Sequence, residues 1–320
     1  MRTKRLVAGV IAGGTALAVL GGCAAQQIQA LEPRLELRDA VQHLAGVQQA
    51  GFTLKLTGNA DDLITAVKLQ AAQDKSADDD ATVRKLFNSS LTIAYDKGDA
   101  GTADDRSMVA ATVDGVTGTE IRYIGGTLYA KVPVAALAGK FGTSPAEVKS
   151  LSGDFVDELP GMDAFFDGQW VSADTKEIID MAGVTTGLGK QNLDQANTVS
   201  ELTASAKNLL QDASVVRDSA DANHLIVTTS TAKAYAEARR FATAVDKSLA
   251  TELAEAPSDR PVVLDLWIDG GKLTAAEINV LQFIDGATGR VAARLEVTTG
   301  VPITAPDNAT KLDITGLLGP

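Results

Sequence analysis

The feature that most restricts the fold is a period of two that returns in both halves of the chain. Phe52, Leu54 and Leu56 alternate with Thr53, Lys55 and Thr57, and Val291, Ala293, Leu295, Val297 and Thr299 stand opposite Arg294, Glu296 and Thr298. Successive side chains of a strand point to opposite faces, so the pattern sets one sheet face on a core and the other in water, as antiparallel sheets allow. Leu225, Val227 and Thr229 read as a strand in the same way, and Val262, Leu264, Leu266 and Ile268 share a face. β-rich runs at 91–95, 108–113, 119–124, 127–132 and 273–281 and a short strand at 168–174 complete the set. Gly125-Gly126 and Asp269-Gly270-Gly271 are hairpin signals, because tight turns between antiparallel strands need residues that accept positive φ.

Between the strands the spacing turns helical. Leu37, Val41, Leu44 and Val47 predict a helix over 36–50, with Gly51 as the corner before the first strand. Asn59 or Asp61 can cap a helix carrying Leu63, Ile64, Val67 and Leu69, and Asp78-Asp79-Asp80 starts a short one through Val83 to Phe87. Ser144-Pro145-Ala146-Glu147 joins a proline at the first helical position to a glutamate three residues after the serine, the composition of a capping box. Helical character returns at 155–166, at 176–181, along Val199, Leu202, Ala206, Leu209 and Leu210, and over 231–249.

Strand, helix, then strand meander thus occurs twice, from Phe52 to Val132 and from Leu225 to Thr299. The expected class is α+β: a curved antiparallel sheet, half-barrel-like, with helices packed across one face. A duplicated unit in one continuous sheet and two similar lobes both satisfy the order, and the single sheet is preferred. The expected layout is a lipoprotein signal peptide over 1–22, a tether over 23–35, one half over 36–186 and a second over 196–320. The Gly-, Asn- and Asp-containing stretch 187–195 is the internal boundary.

The signal-peptide reading rests on Arg2, Lys4 and Arg5 followed by an apolar run from Leu6 to Gly22, which is short and glycine-containing for a membrane span. Leu20-Gly21-Gly22-Cys23 matches a bacterial lipobox, and Cys23 is the one cysteine of the chain, so an intrachain disulfide is impossible. The expectation is acylation of Cys23, palmitate among the acyl groups, and anchoring on the outer face of the cytoplasmic membrane.

Other chemistries find no handle. Acids outnumber bases 41 to 29, with three of the bases ahead of Cys23, and a surface of that sign repels nucleic acid. His43 and His224 sit in separate elements with no metal-binding spacing, and no GxSxG elbow or P-loop is present. Asp96-Lys97-Gly98-Asp99-Ala100-Gly101 departs from a calcium loop at its third position and reads as a solvated turn. No enzyme activity, cofactor or metal is expected.

The lipobox, the opening Phe52-Thr53-Leu54-Lys55-Leu56-Thr57-Gly58, the paired strands from Ile121 to Val132, and Gly168-Gln169-Trp170-Val171 together resemble the actinobacterial LppX/LprG-type lipoproteins and, more distantly, the LolA-like lipoprotein-carrier fold. The resemblance implies a curved sheet, helices over its concave face and an apolar cavity between them for acyl chains, with no catalytic residues.

Aliphatic strands facing alanine-rich helices are compatible with such a cavity. Its candidate lining is Leu54 and Leu56 on the first strand, Leu63 and Val67 on the following helix, and Leu128. The second half adds Leu225, Val227, Phe241, Val245, Leu264, Leu266 and Leu295. Two functions follow: an anchored carrier of lipid or another hydrophobic ligand, or a non-catalytic structural or protein-interaction lipoprotein whose core is filled.

Overall fold

The structure is a computed structural model that describes residues 22–71, 80–98, 104–175, 201, 204–205, 207–211, 213–245 and 259–312. Its frame is one open, mostly antiparallel 12-stranded sheet in the order β12-β6-β5-β4-β3-β2-β1-β11-β10-β9-β8-β7. The strands are β1 Gln49–Gly58, β2 Ser90–Asp96, β3 Arg106–Val113, β4 Val116–Ile124, β5 Thr127–Lys131, β6 Val171–Asp174, β7 Ser214–Arg217, β8 His224–Ser230, β9 Pro261–Asp269, β10 Lys272–Asn279, β11 Val291–Thr299 and β12 Thr310–Lys311. The helices are α1 Gly22–Gly46, α2 Ala60–Ala71, α3 Asp80–Phe87, α4 Val134–Lys140, α5 Pro145–Glu158, α6 Met162–Phe166 and α7 Thr231–Val245.

The two meanders join through β1 and β11, paired from Ala50 with Thr299 to Gly58 with Val291, so the halves share one sheet. In each, a strand is followed by helical chain and then by its own antiparallel neighbour: β1, α2, α3, β2 and β8, α7, β9. The tight turns follow from backbone freedom. Gly125-Gly126 and Gly270-Gly271 lie at φ 55 and 82 and at φ 55 and 75, and Asp114-Gly115 makes the corresponding turn between β3 and β4. The Ser144 amide donates to Glu147 Oε2 at 2.7 Å and the Glu147 amide to Ser144 Oγ at 3.3 Å, closing the capping box at α5. Asn59, rather than Asp61, caps α2: its Oδ1 accepts from the Asp61 amide at 2.9 Å.

Several boundaries differ from the sequence reading. α1 begins at Gly22 and so runs through 23–35, where a tether is expected; Ala24, Ala25, Gln26, Gln27 and Gln29 are good helix formers, and Pro33 is accommodated inside the helix. Its C-terminus is Gly46, and Gly51 lies within β1 instead of at a corner. A Cβ at Gly51 would stand 2.8 Å from Thr298 Oγ1, so a close cross-strand contact, not a turn, uses this glycine. Asp96 is not part of a solvated turn: it is buried, accepts from the Ile303 amide at 3.2 Å and Gln49 Nε2 at 3.1 Å, and faces Arg106 at 3.5 Å. β7 and β12 are too short for periodicity to expose. The helix at 176–181 and the boundary at 187–195 lie outside the described residues.

After β11 the chain returns across the sheet. Arg106 donates to the Ile303 carbonyl at 3.1 Å and Arg122 to that of Thr304 at 2.6 Å, and β12 then pairs in parallel with β6.

Candidate functional site

Register assigns every strand residue to one of two faces, and the faces differ sharply. On the first, Phe52 stands opposite Ile93, Ile93 opposite Val109 and Val109 opposite Ile121. One step along, Leu54 faces Leu91 on one side and Leu295 on the other, and Tyr123 faces Leu128. Leu54, Leu91, Ile93, Val109, Ile121 and Tyr123 are 47, 41, 46, 36, 42 and 39 % exposed. A run of six large apolar side chains across β1 to β4 is thus left open to contact, and contiguous apolar surface of this kind marks interaction sites.

The same face is closed elsewhere. Under α1, Leu37 and Ala40 pack on Val215, Leu225, Val227 and Ile268, and Leu225 and Val227 are 0 and 1 % exposed. Leu264 and Leu266 are half-buried against this cluster. At the far end of β1, Leu56 and Leu63 pack on Ala66, Leu281 and Val291. Of the candidate lining, Leu54 therefore lies in the open patch and Leu128 and Leu295 border it, while Leu225, Val227, Leu264 and Leu266 build one core cluster and Leu56 and Leu63 another. Val67 is half-buried on α2 and Phe241 half-buried on α7; the side chain of Val245 lies outside the described residues. Sequence reasoning did not single out Leu91, Ile93, Val109, Ile121 or Tyr123, although the alternation of Leu91, Ile93 and Tyr95 carries the signal.

A groove of about 900 Å³ runs beside the closed part, between α1 and residues 207–211. Leu37, Val41, Leu210 and Val215 form its apolar lining, and Arg34, Arg38, Gln42, Lys207, Asn208 and Gln211 its polar lining.

The second face is a charged lattice. His224 stacks on Trp267 with ring centroids 4.7 Å apart, its Nδ1 2.9 Å from Asp218 and its Nε2 3.0 Å from Asp265. Arg290 reaches Asp265 at 3.0 Å and Glu277 at 2.6 Å, Arg294 reaches Glu277 at 2.8 Å and Glu296 at 3.1 Å, and Lys55 reaches Glu296 at 2.8 Å. Burial pushes the Glu277 carboxyl up, but hydrogen bonds and charge from Arg294 and Arg290 outweigh it and hold the group below its ordinary range. The hydrogen bond from Lys55 leads in holding Glu296 low as well. These charges satisfy one another. Among the described residues no group of three His, Cys, Asp or Glu could hold a metal ion, and no described helix is long and apolar enough to cross a membrane.

No protein-family model matches the chain, and no curated protein matches it by sequence. Among solved structures it is similar to LprF from Mycobacterium bovis, at 14% identity and a TM-score of 0.37, over 88% of this chain and 99% of that one. It is similar also to the lipoprotein LppX of Mycobacterium tuberculosis, at 13% identity and a TM-score of 0.33, over 86% of this chain and 98% of that one. LppX is one of the proteins whose group the sequence resembles.

Proposed function

We propose that this chain is a non-catalytic, lipid-anchored extracytoplasmic protein that binds or carries a lipid or another hydrophobic ligand on the apolar face of its sheet. The observation that carries the reading is the open row Leu54, Leu91, Ile93, Val109, Ile121 and Tyr123, 36 to 47 % exposed on adjacent strands of a face that is closed under α1 and at the far end of β1. Covering such surface gains about 25 cal/mol per Å² of apolar area, so an acyl chain laid across the strands has a driving force without any polar contact. The lipobox ending in Cys23 supports anchoring on the outer face of the cytoplasmic membrane, since acyl chains on that sulfur contribute about 0.8 kcal/mol per buried CH₂.

Native mass spectrometry and lipid extraction of the purified chain test the binding. Copurifying lipid that is lost in Ile93→Lys supports it. A chain free of bound lipid, unchanged by a polar substitution in the patch, overturns it in favour of an interaction lipoprotein, the reading that the closed core under α1 favours. Cys23→Ser tests the anchor separately: palmitate labelling and membrane association are expected to be lost together.

A further inference from the structure

The groove between α1 and residues 207–211 has an asymmetry that the open sheet patch lacks. On α1, Arg34 and Arg38 stand four residues apart, as do Leu37 and Val41, and the two pairs are offset by three, so all four lie along one stripe. Across from them Lys207, Leu210 and Gln211 repeat the spacing. Each wall thus offers aliphatic carbons and carries bases, whose long stems pack on apolar surface while their heads stay in water. The lining holds three bases and no acid, in a chain whose acids outnumber its bases 41 to 29.

Neighbouring acids do not cancel this bias. Glu36 is paired with Arg217, and Glu237 with Arg240 and the Asn208 amide. Asp39 holds Arg38 at 2.8 Å, but both side chains are more than half exposed, and such a pair is worth little and gives way to a better anion. Arg34 is tied to the carbonyl of Ala213, which takes a hydrogen bond and leaves the charge in place. Among the described residues Lys207 makes no ion pair.

We propose that this groove binds a single-chain anionic amphiphile, its alkyl part against Val41 and Leu210 above the buried Leu37 and Val215, and its carboxylate or phosphate headgroup at Arg38 and Lys207. The volume is that of sites for small ligands, about 300–1,000 Å³, and apolar walls with a few convergent polar groups are their usual make-up. This goes beyond the proposed function: the groove beside α1 is a second site, apart from the open row on β1 to β4, and its ligand has one chain and a negative head.

The test titrates the full chain with cis-parinaric acid, a fluorescent long-chain carboxylate, and with its neutral methyl ester. The acid is expected to bind about tenfold more tightly or better, with the advantage shrinking as salt rises. Displacement by lysophosphatidate or by palmitate then separates a phosphate headgroup from a carboxylate. In Arg38→Glu/Lys207→Glu the advantage of the acid is expected to vanish while ester binding persists, and the milder Arg38→Gln/Lys207→Gln serves if the charge reversal disturbs folding. Equal binding of acid and ester, or an acid preference that survives both double variants, overturns the groove assignment and leaves the hydrophobic-ligand reading standing. Failure of both probes to bind overturns the two together.

Discussion

Asp265 on β9 and Glu277 on β10 stand directly opposite each other in register, and one guanidinium holds both: Arg290 Nη2 lies 3.0 Å from Asp265 and 2.6 Å from Glu277. Two like charges at a cross-strand position repel, so the pair is tolerable only because a cation sits between them. Arg290 is placed there by the approach of β1: Gly58 lies at φ +99 against the Arg290 backbone, and the Arg290 amide donates to Asp62 on α2 at 3.1 Å.

Acid should loosen this arrangement. The Glu277 carboxyl is held below its ordinary value of 4.5, so the folded state favours its ionised form. That contribution is complete above the unfolded value and lost as pH falls through the folded one. Denaturant unfolding between neutral pH and about pH 3 should show falling stability, with a shallower fall in Glu277→Gln. At neutral pH that variant, which keeps the shape and loses charge-assisted hydrogen bonds, should cost about 1–3 kcal/mol.

Leu225 and Leu54 share a sheet face but not an environment. Leu225→Ala, at 0 % exposure beneath α1, should lower stability by about 2–5 kcal/mol, the range for a cavity in a closed core. Leu54→Ala, at 47 % exposure, should cost less than about 1 kcal/mol. Urea unfolding of the two variants compares them directly.

Val109→Asp places a charge in the centre of the open row. Stability should fall by about 1 kcal/mol, the span of strand propensity between such residues, because water reaches only part of the site. Binding of a neutral apolar probe, cis-parinaric methyl ester, should weaken several-fold. Unchanged probe binding would detach the exposed row from ligand binding.

Gly58→Ala should cost more than about 1 kcal/mol, because the residue adopts positive φ and its new Cβ would fall 2.1 Å from the Arg290 carbonyl oxygen. Part of the loss comes from moving Arg290 off the two carboxylates. Combined with Glu277→Gln, the substitution should therefore be less than additive, which a double-mutant cycle of unfolding free energies measures.

What the sequence determined by itself is local. Alternation at Phe52, Leu54 and Leu56 and from Val291 to Thr299, glycine pairs at tight turns and Ser144 with Glu147 at a helix start are read within a few residues, because side-chain direction, positive φ and capping are properties of neighbouring residues. They identify the strands other than β7 and β12, two of the hairpins and the apolar face. Only the tertiary structure decided which parts of that face are covered. Leu54 and Leu225 carry the same alternating signal, yet one lies in the open and the other beneath Leu37 and Ala40, because α1 packs over the β7–β10 part of the sheet and leaves the β1–β4 row exposed. The joining of the two meanders through β1 and β11 is likewise settled by pairing across more than two hundred residues of sequence, a choice made by packing and edge closure and invisible to any local period.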